Sequence, residues 1–162
     1  MSNSGTGREE GPSGQGAPPA PAPEEVAELQ EMLLAAVLGQ EARSGSGRAI
    51  ALPDIDFVLE QDGTLNLSEE NLFAKPVADD MGRPIRVLSV EELRREADRR
   101  GQLGYLRFQP ADVPGDSVRL TLEGRIARQG VQDPVGLSGV QATFVTSGGR
   151  WRLEGEPAFF AA

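Results

Sequence analysis

Residues 140–156, VQATFVTSGGRWRLEGE, restrict the fold more than any other part of this chain. Two alternating runs flank Gly148-Gly149, and a two-residue hairpin turn needs positive φ at both central positions, which glycine reaches without a Cβ clash. Such a turn fixes the register. Phe144 then faces Leu153, Thr146 faces Trp151 and Ala142 faces Gly155 on one side, while Val145 faces Arg152, Thr143 faces Glu154 and Gln141 faces Glu156 on the other. One side is apolar and the other polar, as a half-buried antiparallel pair requires.

The preceding segments supply more strands and one well-marked helix. Val118, Leu120, Leu122 and Ile126 share one side of a long strand over 118–127, with Arg119, Thr121, Glu123 and Arg125 on the other. Residues 103–108 form a further strand. Before it, Ser89 with Glu92 makes a capping box, Leu88 and Leu93 a hydrophobic staple, and Gly101 a left-handed stop after Arg99 and Arg100. Glu91 with Arg95 and Glu96 with Arg100 are spaced as i,i+4 pairs, so this helix reads as a solvated, salt-bridged surface rather than a nucleic-acid patch. Residues 85–88 feed it as a short strand. Residues 55–59 and 64–67 read as a hairpin through the three-residue turn Gln61-Asp62-Gly63, pairing Leu59 with Leu65 and Phe57 with Leu67. Pro157 is expected to end the last strand ahead of a tail containing Phe159 and Phe160.

The front of the chain has a different character. Residues 1–23 are Gly, Pro, Ser and Ala with little to bury, a composition expected to stay disordered. From Glu24, Val26, Leu29, Leu33 and Val37 recur at helical spacing, and Glu24, Glu25, Glu28 and Glu31 crowd the first turns, where the helix dipole favours anions. The domain plan is therefore a tail over 1–23, an amphipathic helix within 24–41, a Ser/Gly linker over 42–48 and an α+β domain over 49–162. The helix reads either as a lid packed on that domain or as a tethered docking helix.

Composition removes whole classes of chemistry. Cysteine and histidine are both absent, which excludes thiolate nucleophiles, imidazole bases, the usual catalytic triads and Cys/His zinc sites. No cofactor and no metal site is expected. Asp54, Asp56 and Asp62 with Gly63 lack the third oxygen ligand of a calcium loop, since Val58 stands two residues after Asp56. The net charge of −9 argues against a nucleic-acid partner. The longest apolar run, 32–38, falls far short of the ~20 residues a membrane span needs. The expected setting is the cytoplasm.

Together these elements make an α+β domain, a curved antiparallel sheet covered on one face by helices. A "YLRF" strand at 105–108, a long strand after it and a final "GGRWRLEG" hairpin at 148–155 resemble small bacterial members of the cystatin-like and NTF2-like cone folds, over residues 50–157. That resemblance implies a group of non-catalytic binding subunits, ligand carriers and a minority of isomerases and dehydratases. No catalytic motif of those enzymes is matched, and the dehydratase histidine is absent.

The functional expectation is a non-catalytic interaction or scaffold module, working on a protein partner or as a homo-oligomer through its sheet face and tethered helix. Arg119, Glu123, Arg125, Thr143, Arg152 and Glu154 are the candidate partner-face residues, because a flat face of both signs suits association. The alternative is a small-ligand carrier or isomerase-like enzyme with a cone pocket. There Tyr105 would donate to an oxyanion, Asp56 would act as the carboxylate base, and Trp151 would stand at the mouth. Set against this, Tyr105 and Trp151 are also ordinary core-edge aromatics.

Overall fold

The computed structural model describes residues 21–39, 49–76 and 81–161; the tail over 1–20 and the linker over 42–48 lie outside them. The elements are α1 (Pro23–Val37), β1 (Leu65–Ser68), β2 (Ile85–Leu88), α2 (Val90–Arg100), β3 (Gln102–Phe108), β4 (Ser117–Arg128), β5 (Val135–Ser147), β6 (Arg150–Leu153) and β7 (Ala158–Phe160). The strands form one strongly curled, half-barrel sheet in the order β2-β1-β3-β4-β5-β6, with β7 also paired to β5. The class is α+β, a curved sheet covered by helices.

The hairpin that restricts the fold forms in the expected register. Phe144 pairs with Leu153, Val145 with Arg152 and Thr146 with Trp151. Gly148 and Gly149 have φ of 60° and 79°, the values a primed turn demands. Beyond Leu153 the expected register changes. Glu154 N still donates to Thr143 O, but Gly155 turns to a φ of 65°, so Ala142–Gly155 and Gln141–Glu156 do not pair. The strand resumes after Pro157, and Ala158, Phe159 and Phe160 pair with Gln141, Val140 and Gly139. The two aromatics therefore belong to the sheet edge rather than to a loose tail.

The second expected hairpin forms only in part. The three-residue turn is present, since Leu59 bridges Leu65 and Glu60 N donates to Thr64 O. Upstream, however, residues Ile55–Val58 make a 3-10 turn and not a strand. The inward residue is consequently Val58, at 1% exposure, while Phe57 stands 60% exposed. Gly104 explains the placement, because its bare Cα is where the Phe57 carbonyl comes to rest.

The β1 strand runs parallel to both of its neighbours, β2 and β3. This parallel portion follows from chain direction: β2, α2 and β3 make a strand–helix–strand crossover that passes over β1. The antiparallel remainder, β3 to β7, carries the long pairings.

The two helices lie on opposite faces of the sheet. Leu106, Phe108, Val118, Leu120, Leu122, Val140, Ala142 and Phe144 share one face and pack with α1 through Leu29, Leu33 and Leu34. Those α1 residues are at most 1% exposed, so α1 belongs to the main core and its apolar side is not available to dock elsewhere. Gln30 fixes the helix further, its side chain donating to Asn71 O and accepting from Phe73 N at 2.8 and 3.0 Å. Leu103, Tyr105 and Ala127 point to the other face and pack with Leu88, Leu93 and Ala97, the narrow buried stripe of α2.

Four charged side chains hold α2 down. Glu60 accepts from Arg100 at 2.8 and 2.9 Å and from the Asn66 amide at 2.6 Å, and Glu96 pairs with Arg100 at 3.0 Å and with Arg86 at 3.8 Å. The Glu96–Arg100 pair read from the sequence is thus one side of a tertiary clamp onto β1 and β2.

Candidate functional site

Strand alternation places Leu103, Tyr105 and Arg107 on one face of β3. Opposite them on β4 stand Ala127, Arg125 and Glu123. The α2 helix packs on the Leu103, Tyr105 and Ala127 part of this patch. A cleft of about 230 Å³ is left between α2, the two strands and the 131–134 connection. Its floor is Tyr105, Leu93, Ala97 and Ala127, and Arg94, Arg107, Arg125 and Arg128 stand around it with Glu70 and Asp133.

The charges in this cleft are incompletely matched. Glu123 lies 3.7 Å from Arg107 and 3.8 Å from Arg125, and Glu70 lies 3.7 Å from Arg107. These are ion pairs but not hydrogen bonds, which require about 3.2 Å or less. The Nε atoms of Arg107 and Arg125 are buried with no hydrogen-bond partner among the described residues. Arg94 and Arg128 have no carboxylate within ion-pair distance among the described residues.

Tyr105 is 3% exposed, and burial raises the pKa of its phenol above the ordinary 10.0, only partly offset by the Arg125 charge. Its hydroxyl is therefore a protonated donor throughout the neutral range.

The three pocket residues expected from the sequence do not converge. Tyr105 is in the α2-side cleft. Asp56 lies in the exposed 3-10 turn, on the opposite side of β3, where Phe57 covers Gly104. Trp151 is on that same opposite side of the sheet but at its far end, paired to Thr146, with its Nε1 donating to Glu25 at 3.0 Å. The Trp151 indole thus ties β6 to the start of α1. No geometry here joins Asp56 to the Tyr105 hydroxyl, and the α1 side of the sheet, where a cone pocket was expected, is filled by side chains of the main core.

The partner-face residues do share one face by register but divide into two groups. Arg125 lines the cleft, and Glu123 lies beside it, 3.8 Å from the Arg125 guanidinium. Arg119 pairs across to Thr143 and is held by Asp112 at 3.0 Å, while Arg152 on the outer edge strand and Glu154 just after it stand exposed. Asp54, weighed above as a calcium ligand, accepts from Ser138 N at 3.1 Å, and Asp62 caps its own turn through Thr64 N at 3.0 Å. Both carboxylates thus serve the backbone.

Arg107, Arg94, Arg128 and Glu70 are cleft residues that the sequence reading did not single out. Period two along β3 aligns Arg107 with Tyr105, and Val90, Leu93, Arg94 and Ala97 fall on one helix side at i, i+3, i+4 and i+7. Those two periodicities were the available signal. Comparison of the chain with protein-family models, with curated proteins and with solved structures finds no match.

Proposed function

We propose that this chain is a non-catalytic interaction module that works through the polar face and free outer edge of β5 and β6, and that its partner is a second copy of itself. The observation that carries this reading is the charge order at the end of β6, where Arg152 and Glu154 stand symmetrically about Leu153. A two-fold axis at Leu153 sets Arg152 opposite Glu154 of the second copy, an isologous contact of the kind that closes a dimer.

The backbone suits the same pairing. Glu154 N is turned to β5, so alternation aims the N–H and C=O of Leu153 and Trp151 outward, and no described strand lies beyond β6. An unpaired edge of this kind is a template for another strand. Arg152 and Glu154 make no ion pair with any described residue of their own chain.

Membership of the NTF2-like and cystatin-like cone folds belongs to this proposal, supported by the curled sheet and its helices. So does a cytoplasmic setting, supported by the cysteine-free composition. No helix among the described residues is long and apolar enough to cross a membrane.

Sedimentation velocity on the full chain tests the reading. A dimer is expected at micromolar concentration, weakening with salt because the pairs are exposed. Arg152→Glu places like charges across the axis and yields monomer, and adding Glu154→Arg restores the dimer. A monomeric wild type at ~100 μM, or an Arg152→Glu variant that dimerises as well as wild type, refutes it.

A further inference from the structure

We infer that the cleft between α2 and the β3–β4 face is a binding site for a small organic carboxylate with an apolar body. Three independent features converge there.

The first is unmet donor capacity. Arg107 approaches Glu70 and Glu123 only at 3.7 Å and Arg125 approaches Glu123 only at 3.8 Å, and neither guanidinium, each on a side chain 21% exposed, makes a hydrogen bond among the described residues. Guanidinium groups favour short, bidentate bonds to a carboxylate, and neither Glu70 nor Glu123 gives one to these two arginines. A ligand carboxylate entering the cleft that both arginines line supplies the acceptors their guanidinium ends lack, the buried Nε atoms staying out of its reach.

The second is the aim of the Tyr105 hydroxyl. It lines the cleft with no hydrogen-bond partner among the described residues, and it stays protonated. A neutral phenol beside two cations is a donor waiting for an anion. Tyr105 is also the direct cross-strand neighbour of Arg125, and both residues line the cleft.

The third is the floor. Leu93, Ala97 and Ala127 lie beside the charged end, giving an apolar surface that hydrated inorganic anions do not use. A cleft of about 230 Å³ is below the size that holds drug-like ligands, which sets the ligand as small. Arg94 and Arg128 at the rim raise the local anion concentration without touching the ligand.

The site is separate from the β6 edge proposed for self-association and does not depend on it. Heteronuclear NMR titration of the full chain with benzoate and hexanoate, against benzamide, hexanamide and inorganic phosphate, tests it. Saturable shifts are expected for the two carboxylates, centred on the amides of Tyr105, Arg125 and Ala127, with the amides and phosphate at least about tenfold weaker, the change that follows from losing one charge-assisted hydrogen bond. Arg125→Gln is expected to weaken benzoate by a similar factor. Tyr105→Phe, which keeps the ring and its packing, is expected to weaken it about threefold to tenfold. Because Arg125 is mostly buried, the exposed Arg128→Ala serves as a second variant that leaves the fold intact and weakens binding about twofold to threefold. Absence of saturable binding by either carboxylate, equal binding of the amides or of phosphate, or shifts centred elsewhere each overturn the assignment.

Discussion

Gly104 provides the strictest test of how the front of the domain meets the sheet. It pairs with Ile126 on β4, and the 3-10 turn at Ile55–Val58 lies directly on it. A Cβ at this position falls 2.7 Å from the Phe57 carbonyl carbon and 3.4 Å from Val58 N, with the carbonyl oxygen nearer still. Carbon atoms rest at about 3.5–4.0 Å, so in Gly104→Ala the turn must retreat by roughly an ångström. The obstacle is backbone and has no rotamer to escape into. The turn also carries Val58, 1% exposed, and follows Asp54, whose carboxylate holds Ser138 N. Overpacking of a core costs about 1–3 kcal/mol, and exposure of a valine side chain about 1.5–3 kcal/mol. The two are alternatives as much as additions, which puts the loss near 3 kcal/mol. For a domain of this size 1 kcal/mol moves Tm by about 3 °C, so a drop of about 9 °C is expected. Thermal unfolding followed by circular dichroism and by the fluorescence of the lone tryptophan, Trp151, measures it. Gly139→Ala is the matched control. Its Cβ also meets close atoms, the Phe160 ring carbons at 2.8 and 2.9 Å with the ring tip nearer still, but that ring ends an exposed side chain and can rotate away. A loss under about 1 kcal/mol is expected there, because the obstacle is a movable side chain and not backbone. The reasoning fails if Gly104→Ala melts within about 2 °C of wild type, or if Gly139→Ala falls as far.

Three further outcomes follow from the packing. Leu33→Ala removes a side chain 1% exposed in α1 and is expected to cost about 3 kcal/mol in urea titrations, with one cooperative transition because α1 and the sheet share a core; a change below about 1 kcal/mol would show the helix to be dispensable. Ser89→Ala deletes the side-chain acceptor of Glu92 N and is expected to cost about 1 kcal/mol, read by the same titration. Acid stability responds to Glu60, whose pKa is held below the ordinary 4.5, first by the Asn66 amide and then by Arg100 and Arg86. A carboxyl depressed in the folded state stabilises fully above its unfolded pKa and loses that contribution as pH falls through the folded one. Stability measured from pH 6 downwards should therefore decline below about 4.5, and Glu60→Gln should flatten that decline; an unchanged slope counts against the clamp.

What the sequence by itself determined lies within short stretches of chain. The hairpin register around Gly148-Gly149, the capping box of Ser89 and Glu92 and the stop at Gly101 are all set by groups a few residues apart. Their physics is complete locally: a turn that only glycine enters, a hydroxyl facing the orphan N–H groups of a helix, an alternation that cannot slip without turning a face inside out. The glutamate-rich start and apolar spacing of α1 were likewise legible, though not where its apolar side would be covered.

Tertiary structure decided the rest. The alternation over 55–59 pointed to Phe57 as an inward residue, but the space that decides the matter belongs to Gly104, 47 positions after it in the sequence. Phe159 and Phe160 become strand only because Gly155 shifts the register and Gly139 leaves room for a ring. Tyr105, Trp151 and Asp56 each looked competent for a pocket, and the sheet separated them, since strand parity and strand order assign faces that no single segment knows. The cleft that does form needs α2 set against β3 and β4. That placement is fixed by Glu60, Arg86, Glu96 and Arg100 together with the Leu93–Tyr105 contact, drawn from α2, β2, β3 and the turn before β1. Local chemistry specifies which elements exist and how each begins and ends. Which side chains meet is decided by long-range packing, whose favourable contacts exist only once the chain has closed.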